Sequence, residues 1–250
     1  MKKIIQLFFL LLTSSFSYAQ LDYANQVSKK DVSKGLVTFE KTTAPNGSIS
    51  YGFKMDGRIV GPNMILHTDG RTSYLNYNKD HEVDGTLIEA NKLEGTTELY
   101  TYRKGQKSGP AFKMANGKVE WSKQFKDGKI DPNGYKVNHN ADFYPRNDGK
   151  SFEGFTIDKY ENGSYAIGYF AYGRRAYPII HVWEDGDNFM GQCIQNLRKE
   201  FGVYFSHKGH KYVGSWDENY KEGLGFSVDK NGEITEKGYY DNGKLIIPLK

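Results

Sequence analysis

From about residue 46 onward the chain alternates apolar and polar positions in short stretches, each closed by a polar residue and a glycine. In Tyr212-Val213-Gly214-Ser215-Trp216, residues 212, 214 and 216 fall on one side of a strand because successive side chains point to opposite faces. One series of turn signals runs through Asn46-Gly47, Asp69-Gly70, Glu94-Gly95, Asn116-Gly117, Asp148-Gly149, Asp185-Gly186, Lys208-Gly209 and Asn231-Gly232. A second lies between them at Asp56-Gly57, Lys104-Gly105, Asp127-Gly128, Asn162-Gly163 and Asn242-Gly243. Such pairs supply the positive φ that a two-residue hairpin turn requires. Two turns per period leave two short strands per unit, so the pattern predicts a string of β-hairpins.

The period is clearest between Phe189 and Gly232. Phe189-Met190-Gly191 recurs as Tyr212-Val213-Gly214, an offset of 212 − 189 = 23, and Phe201-Gly202 recurs as Leu224-Gly225 at the same offset. A glycine two residues after an aromatic leaves a gap on that face, and a ring lying across it shields the backbone. Phe152-Glu153-Gly154 repeats the placement. The expectation is an all-β fold, an elongated array of β-hairpin repeats of about 23 residues forming a single twisted antiparallel sheet. Its rings would stack along the sheet in place of much of a two-layer core. About eight hairpin units at two strands each would extend on the order of 75 Å if the array stayed open.

These motifs resemble the membrane occupation and recognition nexus (MORN) repeat. The likeness is carried by Tyr212-x-Gly214-x-Trp216, Gly223-x-Gly225 and the Asn231-Gly232 turn, and less completely by Phe189-x-Gly191 with Gly202 and by Asp148-Gly149 before Phe152-x-Gly154. Tyr51-x-Phe53-x-x-Asp56-Gly57 with Gly61-Pro62 is similar to the bacterial antitoxin-type repeats allied to MORN. Tyr100-x-Tyr102 with Gly105 and Gly109-Pro110 repeats that variant, and Trp121, Gly128 and Pro132 echo it. The resemblance implies protein contacts, and lipid association is often proposed for such arrays.

The rest of the chain divides around the array. Lys2 and Lys3, the apolar run Ile4–Leu12 and the small residues Ser17 and Ala19 read as a secretory signal peptide over residues 1–19. The apolar run is about half of a membrane span, so no transmembrane span is expected in the mature chain. Residues 20–45 read as an N-terminal cap or lead-in, with a short helix in Leu21–Lys34 ended by Gly35 and a first strand at Leu36–Glu40. The array proper would occupy 46–250, with irregular insertions near 131–147 and 163–184. Tyr165-Ala166-Ile167-Gly168 carries an extra residue between ring and glycine, as a bulge would require. Long loops on a repeat array are common binding sites, which points to the irregular stretch Asp131–Glu184 as the place for specific function.

Composition narrows the function. The chain has 28 Gly, 19 Tyr and 15 Phe, which suits short strands and tight turns. Its single cysteine, Cys193, excludes an intrachain disulfide, so stability rests on burial and backbone pairing. Cys193 sits 216 − 193 = 23 residues before Trp216, at the ring position of the earlier repeat, which predicts a partly buried thiol. Removing residues 1–19 takes away Lys2 and Lys3 and lowers the net charge from +4 to +2, with no basic run to suggest a nucleic-acid partner.

His207 and His210 could seed a metal site, and Asp185-Gly186-Asp187-Asn188 a calcium loop. The first lacks further ligands nearby in sequence and the second lacks a distal Glu, so both read as turn residues. Pairs such as Glu184/Asp185 and Asp217/Glu218 do not single out a glycosidase couple. No catalytic, cofactor-binding or metal residue is therefore assigned, and no cofactor is expected. The favoured function is a non-enzymatic exported scaffold or protein-interaction module, periplasmic or secreted. An envelope glycan- or lipid-binding protein using an aromatic sheet face comes second, and a hydrolase in the irregular middle third. Mass analysis of the exported protein should find Gln20 at its N-terminus; any other first residue moves the cleavage site.

Overall fold

In the computed structural model, residues 25–132 and 154–250 are described. The stretch 1–19 read as a signal peptide and most of the 131–147 segment lie outside them. The described chain is all-β hairpins apart from one turn of helix, α1 (Lys29–Ser33). Ser28 caps α1: its hydroxyl accepts from the Asp31 N–H, and the Asp31 carboxylate accepts from the Ser28 N–H. Gly35, at φ 71°, ends the helical stretch as expected.

Strand follows strand with no crossover. Within each of two sheets every neighbour pair is antiparallel, and each strand lies beside the next in sequence. The array starts earlier than position 46, because β1 (Val37–Thr43) pairs along its whole length with β2 (Ile49–Met55). The lead-in thus supplies the first strand.

Two kinds of turn alternate. Asp56-Gly57, Lys104-Gly105 and Asn242-Gly243 have positive φ at both residues, as two-residue hairpin turns require. Gln195-Asn196 (φ 52° and 74°) and Glu218-Asn219 (φ 46° and 75°) do the same without glycine, which hid them from a search for polar-glycine pairs. The other kind is longer. At Asn46, Asp69, Asn162, Asp185 and Asp229 a side-chain oxygen accepts a backbone N–H two residues on. Asn162-Gly163 belongs to this second kind, and 186 − 163 = 23 restores the period. The proposed insertion at 163–184 is therefore an ordinary hairpin, β11 (Tyr165–Ala171) and β12 (Arg174–Val182). The register is regular from Tyr165 to Gly168, where the extra residue suggested a bulge; the bulge lies instead between Gly168 and Phe170, and it recurs between Gly191 and Cys193 and between Gly214 and Trp216. It is a feature of the repeat.

The strands do not run on as one open sheet. Strands β1–β9 (Val37–Ile130) form one nine-stranded sheet and β10–β18 (Gly154–Pro248) another. The two pack face to face with the chain doubled back. Strand β3 (Arg58–Leu66) lies against β15 (Lys211–Asp217) and β16 (Tyr220–Val228), while β7 (Gln106–Ala115) lies against β12. Nine strands span only about 40 Å, half the length an open array would reach. Phe53, Ile88, Leu99 and Phe112 from one sheet meet Phe155, Val203, Val213 and Phe226 from the other in one buried core. Phe53 and Phe226 rings lie 6.2 Å apart, Phe112 and Phe155 5.1 Å. Each sheet has an apolar face too broad to leave in water, so a two-layer core forms after all. Polar links also cross it: Arg103 meets the fully buried Glu200 carboxylate at 3.1 Å.

The expected rings are present as well, on the outward face of the second sheet. Tyr212 lies over Gly214 and Gly225, where an added Cβ would come within 2.5 Å and 2.6 Å of its Cζ. Tyr212 packs edge-on against Trp216 and Tyr240, each at 5.2 Å, and Trp216 against Phe189 at 5.5 Å. Gly225→Ala should therefore cost about 1–3 kcal/mol by overpacking. In a Tyr212→Ala background the same change should cost less than half as much, measured by urea unfolding as a double-mutant cycle. Equal costs in both backgrounds would mean that the ring is not what fills the glycine's space.

Candidate binding groove on the second sheet

The outward ring column forms the floor of a groove of about 800 Å³ lined by Trp183, Arg198, Tyr204, Tyr212, Trp216 and Lys221, among others. The alternation within strands sends Val213 inward to the core and Tyr212 and Trp216 outward. Tyr212 and Trp216 would be exposed there, yet they are 2% and 5% exposed, because cations lie over them. The Arg198 guanidinium sits 4.3 Å from the Trp216 centroid, and the Lys221 ammonium 4.3 Å from that of Tyr212. Each long stem covers ring surface while its charged head stays at the groove. Burial lowers the pKa of both cations, Arg198 and Lys221.

Cys193 occupies the ring position, as its spacing implied, but it is fully buried. Burial pushes its thiol up to about 11, with Arg175 and Arg198 pulling the other way. Its thiolate is thus scarce at neutral pH.

The two turns considered separately for metal binding lie side by side. Ligand atoms of Asp185, Asp187 and His207 fall within 4.8 Å of one another. Asp187 already accepts from the His207 N–H at 2.9 Å and from the Tyr204 hydroxyl, and its carboxylate lies 2.6 Å from the His207 ring nitrogen. Asp185 accepts from the Asp187 N–H, as turn residues do in other repeats. Asp187 thus joins two neighbouring turns, while Asp185 bonds within its own. His210 lies on the groove wall.

Beside the groove an aromatic stripe continues through His181 and Trp183, with ring centroids 4.3 Å apart, to Tyr204 at 5.9 Å from Trp183. Arg175 Nη1 donates to His181 Nδ1 at 2.5 Å, which requires a lone pair on that nitrogen. His181 titrates at about 4, lowered by burial first and then by Arg175 and Arg198. The groove draws on residues from Trp183 to Gly243. Apart from Trp183, this lining falls downstream of the 131–184 stretch favoured from sequence; residues 133–153 of that stretch lie outside the described residues, and the apparent irregularity at 163–184 came from a turn counted in the wrong series. The cations over rings were missed; their signal was the recurrence of Arg or Lys 23 residues apart, at the second residue of alternate strands, as Arg175, Arg198 and Lys221.

No family model matches the chain, and no curated protein does. Among solved structures it is similar to the TCP domain of SAS-4 (dCPAP) from Drosophila melanogaster, solved in complex with a proline-rich motif of Ana2 (dSTIL). That likeness has 12% identity over 79% of this chain and 87% of the other, at a TM-score of 0.23, and goes no further than a shared abundance of strand. Among the described residues no helix is long and apolar enough to cross a membrane.

The sign of the His181 shift makes a prediction. Its folded pKa of about 4 lies below the ordinary 6.5, so the unfolded chain takes up the proton first. The stability that His181 contributes is complete above pH 6.5 and is lost as pH falls from about 6.5 towards 4. Urea midpoints should drop less between pH 7 and pH 4.5 in His181→Gln than in the wild type; parallel drops would remove His181 as a cause.

Proposed function

We propose that this chain is a non-enzymatic, exported binding module built of MORN-like repeats, and that it holds a partner protein in the groove of its second sheet. The observation that carries this reading is the groove itself. Its floor is a rigid ring column held by strand glycines, and its rim presents Trp183, Tyr204 and Arg198, all partly exposed. Trp, Tyr and Arg dominate the energetics of protein interfaces because they bury large area with little loss of rotamer freedom and keep a polar end for hydrogen bonding. Floor and rim lie on regular strands, so little ordering would be needed on binding. The two sheets serve as the scaffold that faces this surface outward.

An envelope glycan is the second reading. It is favoured by the neighbouring rings of Trp183 and Tyr204, with polar Asp185 and Asn219 in the same lining. Membrane lipid has less support, since the mature chain carries a net charge of only +2 after removal of Lys2 and Lys3 from the total of +4.

The test compares the immobilised mature chain with a Trp183→Ala/Tyr204→Ala variant in pull-downs from the native envelope, beside a glycan array. The wild type should retain one or a few proteins and the variant at least tenfold less, as expected for two anchors of about 2 kcal/mol each. Equal capture by both chains, or glycan binding without a protein partner, would refute the proposal.

A further inference from the structure

Three cations on the outward face of the second sheet keep the repeat spacing: 198 − 175 = 23 for Arg175 and Arg198, and 221 − 198 = 23 for Arg198 and Lys221. They open β12, β14 (Leu197–Phe205) and β16, always just after a two-residue turn. Each is part-buried against ring or imidazole. Arg175 donates to His181 Nδ1 at 2.5 Å and to Asn196, from Nε to the side-chain oxygen at 3.4 Å and from Nη2 to the carbonyl at 3.1 Å; Arg198 lies over Trp216, and Lys221 over Tyr212 with Tyr240 at 5.3 Å. Among the described residues none of the three forms an ion pair. Arg198 spends one side-chain donor on the Asn219 carbonyl at 2.8 Å, out of the five a guanidinium carries.

The carboxylates of the groove stand elsewhere or are engaged. Asp185 and Asp187 lie at the other end of the strands, at the turn between β12 and β13 (Asn188–Ile194), and are tied up there. Glu236, the acid that acts on Lys221, accepts from the Tyr240 hydroxyl at 3.2 Å and from Ser227 at 3.4 Å. One end of the outward face is therefore a row of part-buried cations that form no ion pair among the described residues, with Arg198 and Lys221 in the groove lining and Arg175 one repeat beyond it. Two strand spacings separate successive members, or about 9.6 Å.

We infer that this row reads an extended acidic polypeptide segment, with one carboxylate at every third residue meeting Arg175, Arg198 and Lys221 in turn. In the polyproline II conformation, which unfolded chains readily adopt, three residues rise about 9.3 Å and bring the same side round again. A β-strand returns to the same side after about 6.8 Å, out of step with the row. A segment lying across the strands in the first conformation can pair every repeat without strain. Ring faces beneath Arg198 and Lys221, and the hydrogen bonds of Arg175 to His181 and Asn196, orient the three heads, so little side-chain entropy remains to be lost on binding.

The inference rests on the groove being the site of partner binding, and its test is separable from that reading. The mature chain is titrated into two fluorescein-labelled nine-residue peptides of identical composition, with Glu at positions 1, 4 and 7 or at positions 1, 3 and 5. The 1-4-7 peptide should bind at least about fivefold more tightly at roughly 50 mM salt, and the difference should shrink as salt is raised and screening shortens. Arg198→Met and Lys221→Met keep a stem over the rings and remove the charge, and each should weaken the 1-4-7 peptide about tenfold. Thermal melts matching the wild type would show that these variants fold. Equal binding of the two peptides, or no loss in the folded Met variants, overturns the inference. So does binding of polygalacturonate with neither peptide bound, which would make the ligand an acidic glycan. If Trp183→Ala/Tyr204→Ala still abolishes envelope capture while neither peptide binds, the groove reading stands and the acidic-segment inference falls.

Discussion

Everything in this structure depends on the burial of one apolar face of each nine-stranded sheet against the other. Alternation along the strands makes the consequence general. Once Val213 and Phe226 are committed to the core, Tyr212 and the residues in step with it must face outward. The outward face then carries bulky rings that water would not tolerate. Two devices cover them: glycines that let Tyr212 lie flat on the sheet, and the stems of Arg198 and Lys221 laid over the rings. The groove is what remains between those covers.

The same constraint explains why charge is placed so unevenly. Within the core the buried Glu200 is met by Arg103 from the facing sheet, since an unpaired carboxylate there would be costly. On the outward face Arg198 and Lys221 rest on ring faces, whose quadrupoles favour positive charge and partly replace lost water. The turns near Asp187 use carboxylates to bind neighbouring hairpins together. Each type of ionic residue has a local structural role, and the row formed by Arg175, Arg198 and Lys221 has surplus donors in addition.

Much of this was legible in the chain itself. Gly191, Gly214 and Gly225 after or beside aromatics announced the ring stacking, and Asp56-Gly57 and its relatives announced the hairpins. Turns such as Gln195-Asn196 escaped notice, because asparagine can take the left-handed conformation that usually marks a glycine. The mis-assigned Asn162-Gly163 turn followed from the same blindness: two turn geometries share one sequence signature, and only their hydrogen bonds separate them. Cys193 was placed correctly by register, while the extent of its burial depended on the cluster in which Ile179 and Trp216 from other strands join Phe189 of its own.

By itself the sequence determined the local unit: strand, turn, strand, with the side of every residue set by alternation and the repeat set by a 23-residue period. These are short-range properties, written in φ preferences and in the spacing of rings and glycines. Only the tertiary structure decided that the array folds back on itself, and hence which of the two possible faces became core. That choice depends on the summed apolar area of nine strands meeting nine others, a quantity that no single repeat contains. The groove follows from that choice, because Trp183, Arg198, Tyr204 and Lys221 share a surface only once their sheet has turned its other face inward.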